Sequence, residues 1–439
     1  MTRRLLLQVL YVIVILIPLI ASFILRPRTN SNLLFEISIG LALIGFMILS
    51  AQILLAGRFK WIERPFGLDV LIRNHRNIAI VAVILIVVHP IFLAAASGKW
   101  ELILSFHSSW KVWLGKIALL ALIINVGISY YQGKLRLKYE TWRMLHDFIG
   151  PLIIVLAFLH SFFIGDDLKF TAMRWIWIVT LILSFMLFGY HLAIRPWIQS
   201  YHDYKVTEVT QSAPKVWTIK FVPKQNESIK TYLPGQFHFL TFHRKKGLPE
   251  EEHHWTISSS PTEPFLVSTI KELGDFTATM GETKPGDTVT VDGAYGRFSY
   301  LLHKEEKELV FIVGGIGITP VRSMIKHLYD TNNVMPVTLL YANDDEKSIA
   351  FKDELDNIAT SGVPQLKVVH VLSKPDIGWT GETGFIDQAK IEKYCGGELN
   401  DKGFYLCGPK PFLDAIVRTL HSKGVAAEHI HMEFFSFLG

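Results

Sequence analysis

Cysteine is almost missing from this 439-residue chain, which has only Cys395 and Cys407. That scarcity excludes a disulfide framework, and both residues lie in the second half, which is expected to face a reducing cytoplasm. Acidic residues are missing in a different way. Of 39, only eight (Glu36, Glu63, Asp69, Glu101, Glu140, Asp147, Asp166 and Asp167) fall in the first 200 positions, leaving 31 for the remainder. A water-soluble first half is thereby excluded. No basic tract interleaved with aromatics exists either, and the net charge of +5 is scattered, so nucleic acid is set aside as a partner.

What the first half does contain is apolar runs long enough to cross a bilayer. Six are read: about Leu5 to Leu25, Leu33 to Ala56, Ile72 to Ala96, Trp110 to Tyr131, Met144 to Ile164 and Met173 to Ile194. The first follows Arg3 and Arg4 but is too long for a signal-peptide core and has no small-residue cleavage site, so it is expected to remain as an anchor. The loops after the second and fourth runs carry Arg58, Lys60, Arg64, Arg73 and Lys134, Arg136, Lys138, Arg143. The other loops carry fewer cations, which predicts that both termini are cytoplasmic and that the third and fifth spans run parallel, from inside to outside.

Those two spans each carry two histidines fourteen residues apart, His75 and His89 in one, His146 and His160 in the other. Fourteen residues of helix fall about 40° short of four turns and rise about 21 Å, so each pair shares a face with one imidazole near each side of the membrane. Histidine inside an apolar span bonds to a neighbouring helix or serves a function, and it is the commonest metal ligand. Two identically spaced pairs favour ligation: an inner haem between His75 and His146, an outer haem between His89 and His160. Arg73, Arg76 and Arg143 sit at the inner level, as propionate partners or as simple positive-inside anchors. His107 and His191 have no equally spaced partner and read as structural. Trp110, Trp113, Trp175 and Trp177 read as interfacial belt residues.

From Tyr204 the pattern changes to short β-rich runs (YKVTEVTQ, VWTIKFVP, FHFLTF, FLVSTI, DTVTVDG) separated by Pro-Gly and Gly-Asp turns, predicting a small antiparallel barrel. After HKEEKE come a buried strand, a glycine turn and a helix, ELVFIVGGIGITPVRSMIKHL, and then further strand and helix alternation. This predicts a parallel, doubly wound α/β sheet. The expected domains are therefore residues 1–199 in the membrane, a barrel over 200–303 and an α/β domain over 304–439. Gly314, Gly315 and Gly317 let the backbone approach a pyrophosphate, and the helix opening near Thr319 and Pro320 points free N–H groups at that anion. CGPKP, beginning with Cys407, Gly408 and Pro409, stands near the end of another strand, on the side where dinucleotides bind.

These residues, in this order, resemble the ferredoxin reductase superfamily, and the six spans with paired histidines ahead of them resemble the NADPH oxidase and ferric reductase family. The resemblance covers essentially the whole chain. It implies that HHWTISS carries FAD, with His253, Trp255 and Thr256 holding the flavin ring and its phosphate arm. His254 stands where many relatives have proline. Pro234, Gly235 and Gln236 match the turn beneath the flavin. Ile270, Lys271, Gly274 and Thr277 match the strand and loop at the diphosphate, and Gly296 to Ser299 the turn near it. The ending HMEFFSFLG matches an aromatic cover over the flavin at Phe435, with Phe437 as the runner-up, and the resemblance places Cys407 with Phe435 at the catalytic end.

The resulting expectation is an oxidoreductase of the plasma membrane. It takes electrons from cytoplasmic NADH or NADPH through FAD and two haems, b-type by resemblance, to oxygen on the outer face, giving superoxide. Three alternatives stay open: ferric chelates as acceptor, a haem module that serves a protein partner, and an anchored flavin reductase without haem. Leu93 stands where animal oxidases of the family often have a polar residue. Asp344 and Asp345, in the loop after VTLLYA, suit a ribose 2′-hydroxyl and predict that NADH is accepted at least as well as NADPH.

Overall fold

The computed structural model describes residues 3–26, 32–200, 203–224, 229, 231–396 and 399–434. The chain divides into two compact units, Met1–Pro196 and Trp197–Gly439.

In the first unit the helices are α1 (Arg3–Leu25), α2 (Leu33–Ala56), α3 (Lys60–Phe66), α4 (Leu68–Ser97), α5 (Glu101–Leu104), α6 (Trp110–Tyr131), α7 (Tyr139–Ile164), α8 (Thr171–Gly189) and, after a π turn over Tyr190–Ile194, α9 (Arg195–Ser200). Six are long and apolar enough to cross a membrane, the last running through the π turn to Gln199. They match the six predicted runs to within a few residues at most ends. The short α3 and α5 escaped the hydropathy reading because neither is an apolar run of spanning length.

Half of the apolar window of α2 is buried, against 11–17% for the other five spans, so α2 is the centre of the bundle. Small residues put it there. Gly45 has no room for a Cβ, which would lie 2.6 Å from Ile86 Cγ1 on α4, and such close backbone approach is how membrane helices gain packing without a hydrophobic drive. The flanking spans turn Leu6, Leu10, Ile84, Leu120 and Ile182 outward, as a lipid-facing surface requires.

The second unit holds two sheets. Strands β1 (Asp203–Ala213), β2 (Val216–Pro223), β3 (Phe237–His243), β4 (Glu252–Thr256), β5 (Leu266–Lys271) and β6 (Thr288–Tyr295) form an antiparallel half-barrel in the order β4-β3-β6-β1-β2-β5. Alternate residues Ile219, Phe221, Leu240 and Phe242 fill its interior, the period-2 pattern of a half-buried sheet.

Strands β7 (Glu308–Gly314), β8 (Pro336–Asn343), β9 (Gln365–Leu372), β10 (Glu382–Thr383), β11 (Lys402–Cys407) and β12 (Ile430–Glu433) form a parallel sheet ordered β10-β9-β8-β7-β11-β12. Helices α10 (Ile318–Asp330), α11 (Lys352–Ser361), α12 (Gln388–Cys395) and α13 (Lys410–Ser422) connect it. Consecutive strands β7 and β8 pair, while β11 joins β7 on the other side. The sheet order therefore reverses at β7, and ligands of doubly wound sheets bind outside the carboxyl ends of the strands at that point.

Candidate functional site

The four membrane histidines sit on α4 and α7, and each is held through the same ring nitrogen. His75 Nδ1 donates to Gln52 O at 3.3 Å and His89 Nδ1 to Ser38 O at 2.9 Å, both on α2. His160 Nδ1 donates to Lys111 O at 2.9 Å. His146 Nδ1 lies 3.3 Å from Ser129 Oγ, whose own proton goes to Asn125 O and which also accepts Trp142 Nε1–H at 3.1 Å. Ser129 therefore acts as an acceptor towards His146. The common outcome is an Nδ1–H tautomer with the Nε2 lone pair free, and anchoring of the distal N–H by carbonyl or hydroxyl is the usual support of a metal-bound imidazole.

Support from α2 repeats the spacing of the histidines, since Ser38 and Gln52 are also fourteen residues apart. Antiparallel packing of α2 on α4 then pairs Ser38 with His89 and Gln52 with His75. The ring centres of His75 and His146 stand 6.0 Å apart. Two metal–imidazole bonds of about 2 Å, plus roughly 1 Å from each nitrogen to its ring centre, give about 6 Å, so the inner gap fits a hexacoordinate haem iron. The Gln52 amide is buried, with no partner among the described residues for either side-chain atom, which leaves polar capacity at the same level for such a group. At the level of the other pair Gly115 on α6 makes the seat for His160: a Cβ there would lie 2.6–2.8 Å from three atoms of the imidazole. Neither Gly115, nor the Ser129–Trp142 support, nor the α2 carbonyls carried a signal in the sequence, because main-chain acceptors and missing side chains leave no motif.

His107 is exposed and its amide N–H donates to Ser105 Oγ at 3.0 Å, and His191 Nδ1 lies 3.3 Å from Arg195. Arg73 pairs with Asp69 at 2.8 Å and Arg143 with Asp147 at 3.8 Å, each within its own helix.

In the half-barrel, the residues predicted to hold FAD come from three segments that meet. Gly235 has φ +94° and its Cβ would strike Phe298 O, while Gly296 has φ +95° and its Cβ would lie 2.9 Å from the Phe237 ring. Only glycine fits either turn. Gln236, after buried Pro234, ties them together: its Nε2 donates to Gly296 O at 2.8 Å and its Oε1 accepts Leu233 N–H at 2.8 Å. His253, Trp255 and Thr256 lie on β4, with His253 Nε2 2.9 Å from Glu251 and its ring 4.3 Å from that of Phe276. The Ser299 hydroxyl is buried without a partner among the described residues. A narrow glycine-lined cradle with an orphaned hydroxyl fits a flavin dinucleotide. Thr277 Oγ1 accepts the amides of Leu273 and Gly274 at 2.8 and 2.9 Å and so closes that loop. Ile270 points into the barrel core and Lys271 outward, so any contact from Ile270 to a diphosphate runs through its backbone.

At the reversal point of the parallel sheet the two glycine motifs touch. A Cβ on Gly317 would strike Cys407 O and one on Gly408 would lie 3.3 Å from Gly314 N. Gly315 has φ +55° and open space beside it. No side chain caps the start of α10, where Thr319 and Pro320 lie buried in its first turn, so its first amides are available to an anion. Pro409 is exposed beside this turn and packs its Cδ 3.4 Å from where a Gly314 Cβ would be. Cys407 is fully buried, and that burial pushes its thiol well above the usual range, so it is a neutral thiol at physiological pH. Asp344 follows β8 and accepts Ser373 Oγ at 2.9 Å, whereas Asp345 caps the next turn through Ser348. Phe435 and Phe437 lie outside the described residues.

Comparison with known proteins agrees with both halves. The ferric reductase like transmembrane component family matches residues 41–157, and the oxidoreductase NAD-binding domain family matches residues 311–418. The glycine betaine monooxygenase reductase subunit of Chromohalobacter salexigens is 28% identical over 248 residues, 55% of this chain and 66% of that one. NADH-cytochrome b5 reductase 1 of Lodderomyces elongisporus is 34% identical over 201 residues, 46% of this chain and 63% of that one. The chain thus spans just under two thirds of these relatives' length. The flavohemoglobin of Malassezia yamatoensis, solved with bound FAD and haem, superposes with a TM-score of 0.50 at 16% identity, over 91% of this chain and 99% of that one, a likeness of fold alone. The chain is a multi-pass membrane fusion of a ferric reductase like transmembrane component with a ferredoxin reductase-like, NAD-binding oxidoreductase module, the arrangement of the NADPH oxidase and ferric reductase type.

Proposed function

We propose that the protein carries electrons from NAD(P)H on the cytoplasmic side of the plasma membrane to oxygen on the outer face, giving superoxide, with both termini cytoplasmic. The observation that carries this reading is the set of four membrane histidines, two level pairs all anchored through Nδ1. His75 and His146 would hold an inner haem and His89 and His160 an outer one. When bound, FAD takes a hydride and releases electrons singly, and haem relays them one at a time.

The chain's own residues bind and orient. The glycine turn Gly314–Gly317 and the start of α10 receive the pyrophosphate of the nicotinamide dinucleotide. The Gly235 and Gly296 turns, with His253, Trp255 and Thr256, fix the flavin, and Phe435 covers its face until nicotinamide displaces the ring. Buried Cys407 supplies an apolar, uncharged wall at the end of β11 rather than a nucleophile, because a thiol so far above its usual range stays protonated.

Ferric-chelate reduction is the second reading, favoured by Leu93 one turn beyond His89, where animal oxidases of the family often have a polar residue. Cytochrome c reduction sensitive to superoxide dismutase, compared with ferric-chelate reduction in one preparation fed NADH, separates them. The first reading expects the dismutase-sensitive rate to dominate, and a dismutase-insensitive rate with fast chelate reduction supports the second. Silence with both would point to a protein partner.

A further inference from the structure

We propose that the second unit contains a binding site for a divalent transition-metal ion such as zinc, formed by His303, Glu306 and His431 and separate from the haem, flavin and nicotinamide sites. His303 and Glu306 are the ends of a tight turn closed by Glu306 N–H to His303 O at 3.3 Å, just before β7. His431 belongs to β12, in register with Tyr405 of β11. Ligand atoms of the three side chains lie within 4.8 Å of one another.

The sheet is shaped for this carboxylate. Glu306 is 4% exposed, and burying an ionised carboxylate is costly unless it is paired. Gly403, two residues before Tyr405 on the same strand face, has no Cβ, and one there would overlap the Glu306 carboxylate. Tyr405 OH donates to Glu306 Oε2 at 2.6 Å and His431 Nε2 lies 2.5 Å from Oε1. The His303 ring lies tilted over that of His431, centres 3.8 Å apart, and turns outward from this contact when both imidazoles hold one ion.

Hydrogen bonds from Tyr405 and His431 alone would satisfy the carboxylate, so they do not explain a second imidazole brought to the same point. Two imidazoles and one carboxylate are a zinc donor set, and the tyrosine hydroxyl on the outer carboxylate oxygen is the support such a ligand normally has. The three donors leave a fourth position on the side of His303, whose side chain is 26% exposed. Binding puts the metal on His431 Nε2 in place of its proton, which moves to Nδ1 by exchange with solvent, so the imidazole binds as a neutral ligand. An ion here ties the linker before β7 to the last strand of the sheet, directly ahead of the segment that contains Phe435.

The test is equilibrium dialysis of the full-length protein in detergent against Zn²⁺ after chelator treatment, with zinc counted by elemental analysis. The proposal expects one zinc per chain in the wild type, affinity lowered at least tenfold in His303→Ala, and recovery in His303→Cys, which restores a zinc donor. Tyr405→Phe, which removes only the supporting hydroxyl, should weaken binding by about tenfold or more. Zinc binding should also slow amide exchange across Ile430–Glu433. Because the His303 ring is on a surface turn, its variants test ligation without emptying the core around Glu306. No zinc bound by the wild type, or equal affinity in His303→Ala, would overturn the site.

Discussion

Single atoms decide how two imidazoles, one in each unit, are held. Gly115 is present because His160 occupies the space of its Cβ. Gly115→Ala should therefore push the imidazole off its Lys111 anchor at an overpacking cost of about 1–3 kcal/mol. The expected outcome is loss or spectral shift of the outer haem alone, measured by haem content per chain and low-temperature absorption. His238 is the opposite case, a fully buried imidazole in the half-barrel bonded to Ser268 at 2.7 Å and pushed down to about 3 by its burial. Below pH 6.5 the unfolded chain binds a proton that the folded barrel refuses, so stability falls with pH by about 1.4 kcal/mol per unit until pH 3. His238→Gln lacks this term. The stability difference between wild type and variant should shift by about 2 kcal/mol in the variant's favour from pH 7 to pH 5, followed by tryptophan fluorescence during urea unfolding.

Elements meet at two points that can be broken separately. Arg322 on α10 bonds Glu354 through Nε and Nη2 at 3.1 and 2.7 Å, Glu263 at 3.2 Å and Ser258 O at 2.7 Å, and so clamps the helix to the loop between β4 and β5. Arg322→Ala leaves the partly buried Glu263 and Glu354 carboxylates without their cation and should cost about 1–3 kcal/mol, read as a lower midpoint of thermal unfolding. The loop after β8 is expected to act instead on specificity. Asp344 has one oxygen bonded to Ser373, and Asp345 is committed to its cap, so Asp344 is the better placed to read a ribose. Wild type should accept NADH at least as well as NADPH, and Asp344→Arg should shift the ratio of kcat/KM towards NADPH. A wild-type preference for NADPH above about tenfold, roughly 1.4 kcal/mol, would show that this loop does not read the ribose.

At the scale of the whole molecule, what could be read from the sequence was what repeats or what breaks a pattern. Hydropathy gave six spans, period-2 alternation the half-barrel strands, and a buried strand followed by glycines the reversal point of the parallel sheet. β4 was seen as a flavin motif rather than a strand, and β12 and α12 were missed, because short elements carry too little periodicity to stand out. The histidine pairs were visible through their spacing, but their supports on α2 and α6 were not, since Gln52 O, Ser38 O and Lys111 O are backbone atoms that every residue has. The central claim is that His75, His89, His146 and His160 hold two haems in the membrane unit. Haem per chain, measured as the pyridine haemochrome on wild type and on each single histidine-to-leucine variant, tests it most directly. The account predicts two low-spin haems per chain in the wild type, one at most in every variant, and NAD(P)H-dependent flavin reduction preserved throughout. Any variant that kept two, or a wild type with no reducible haem, would contradict it.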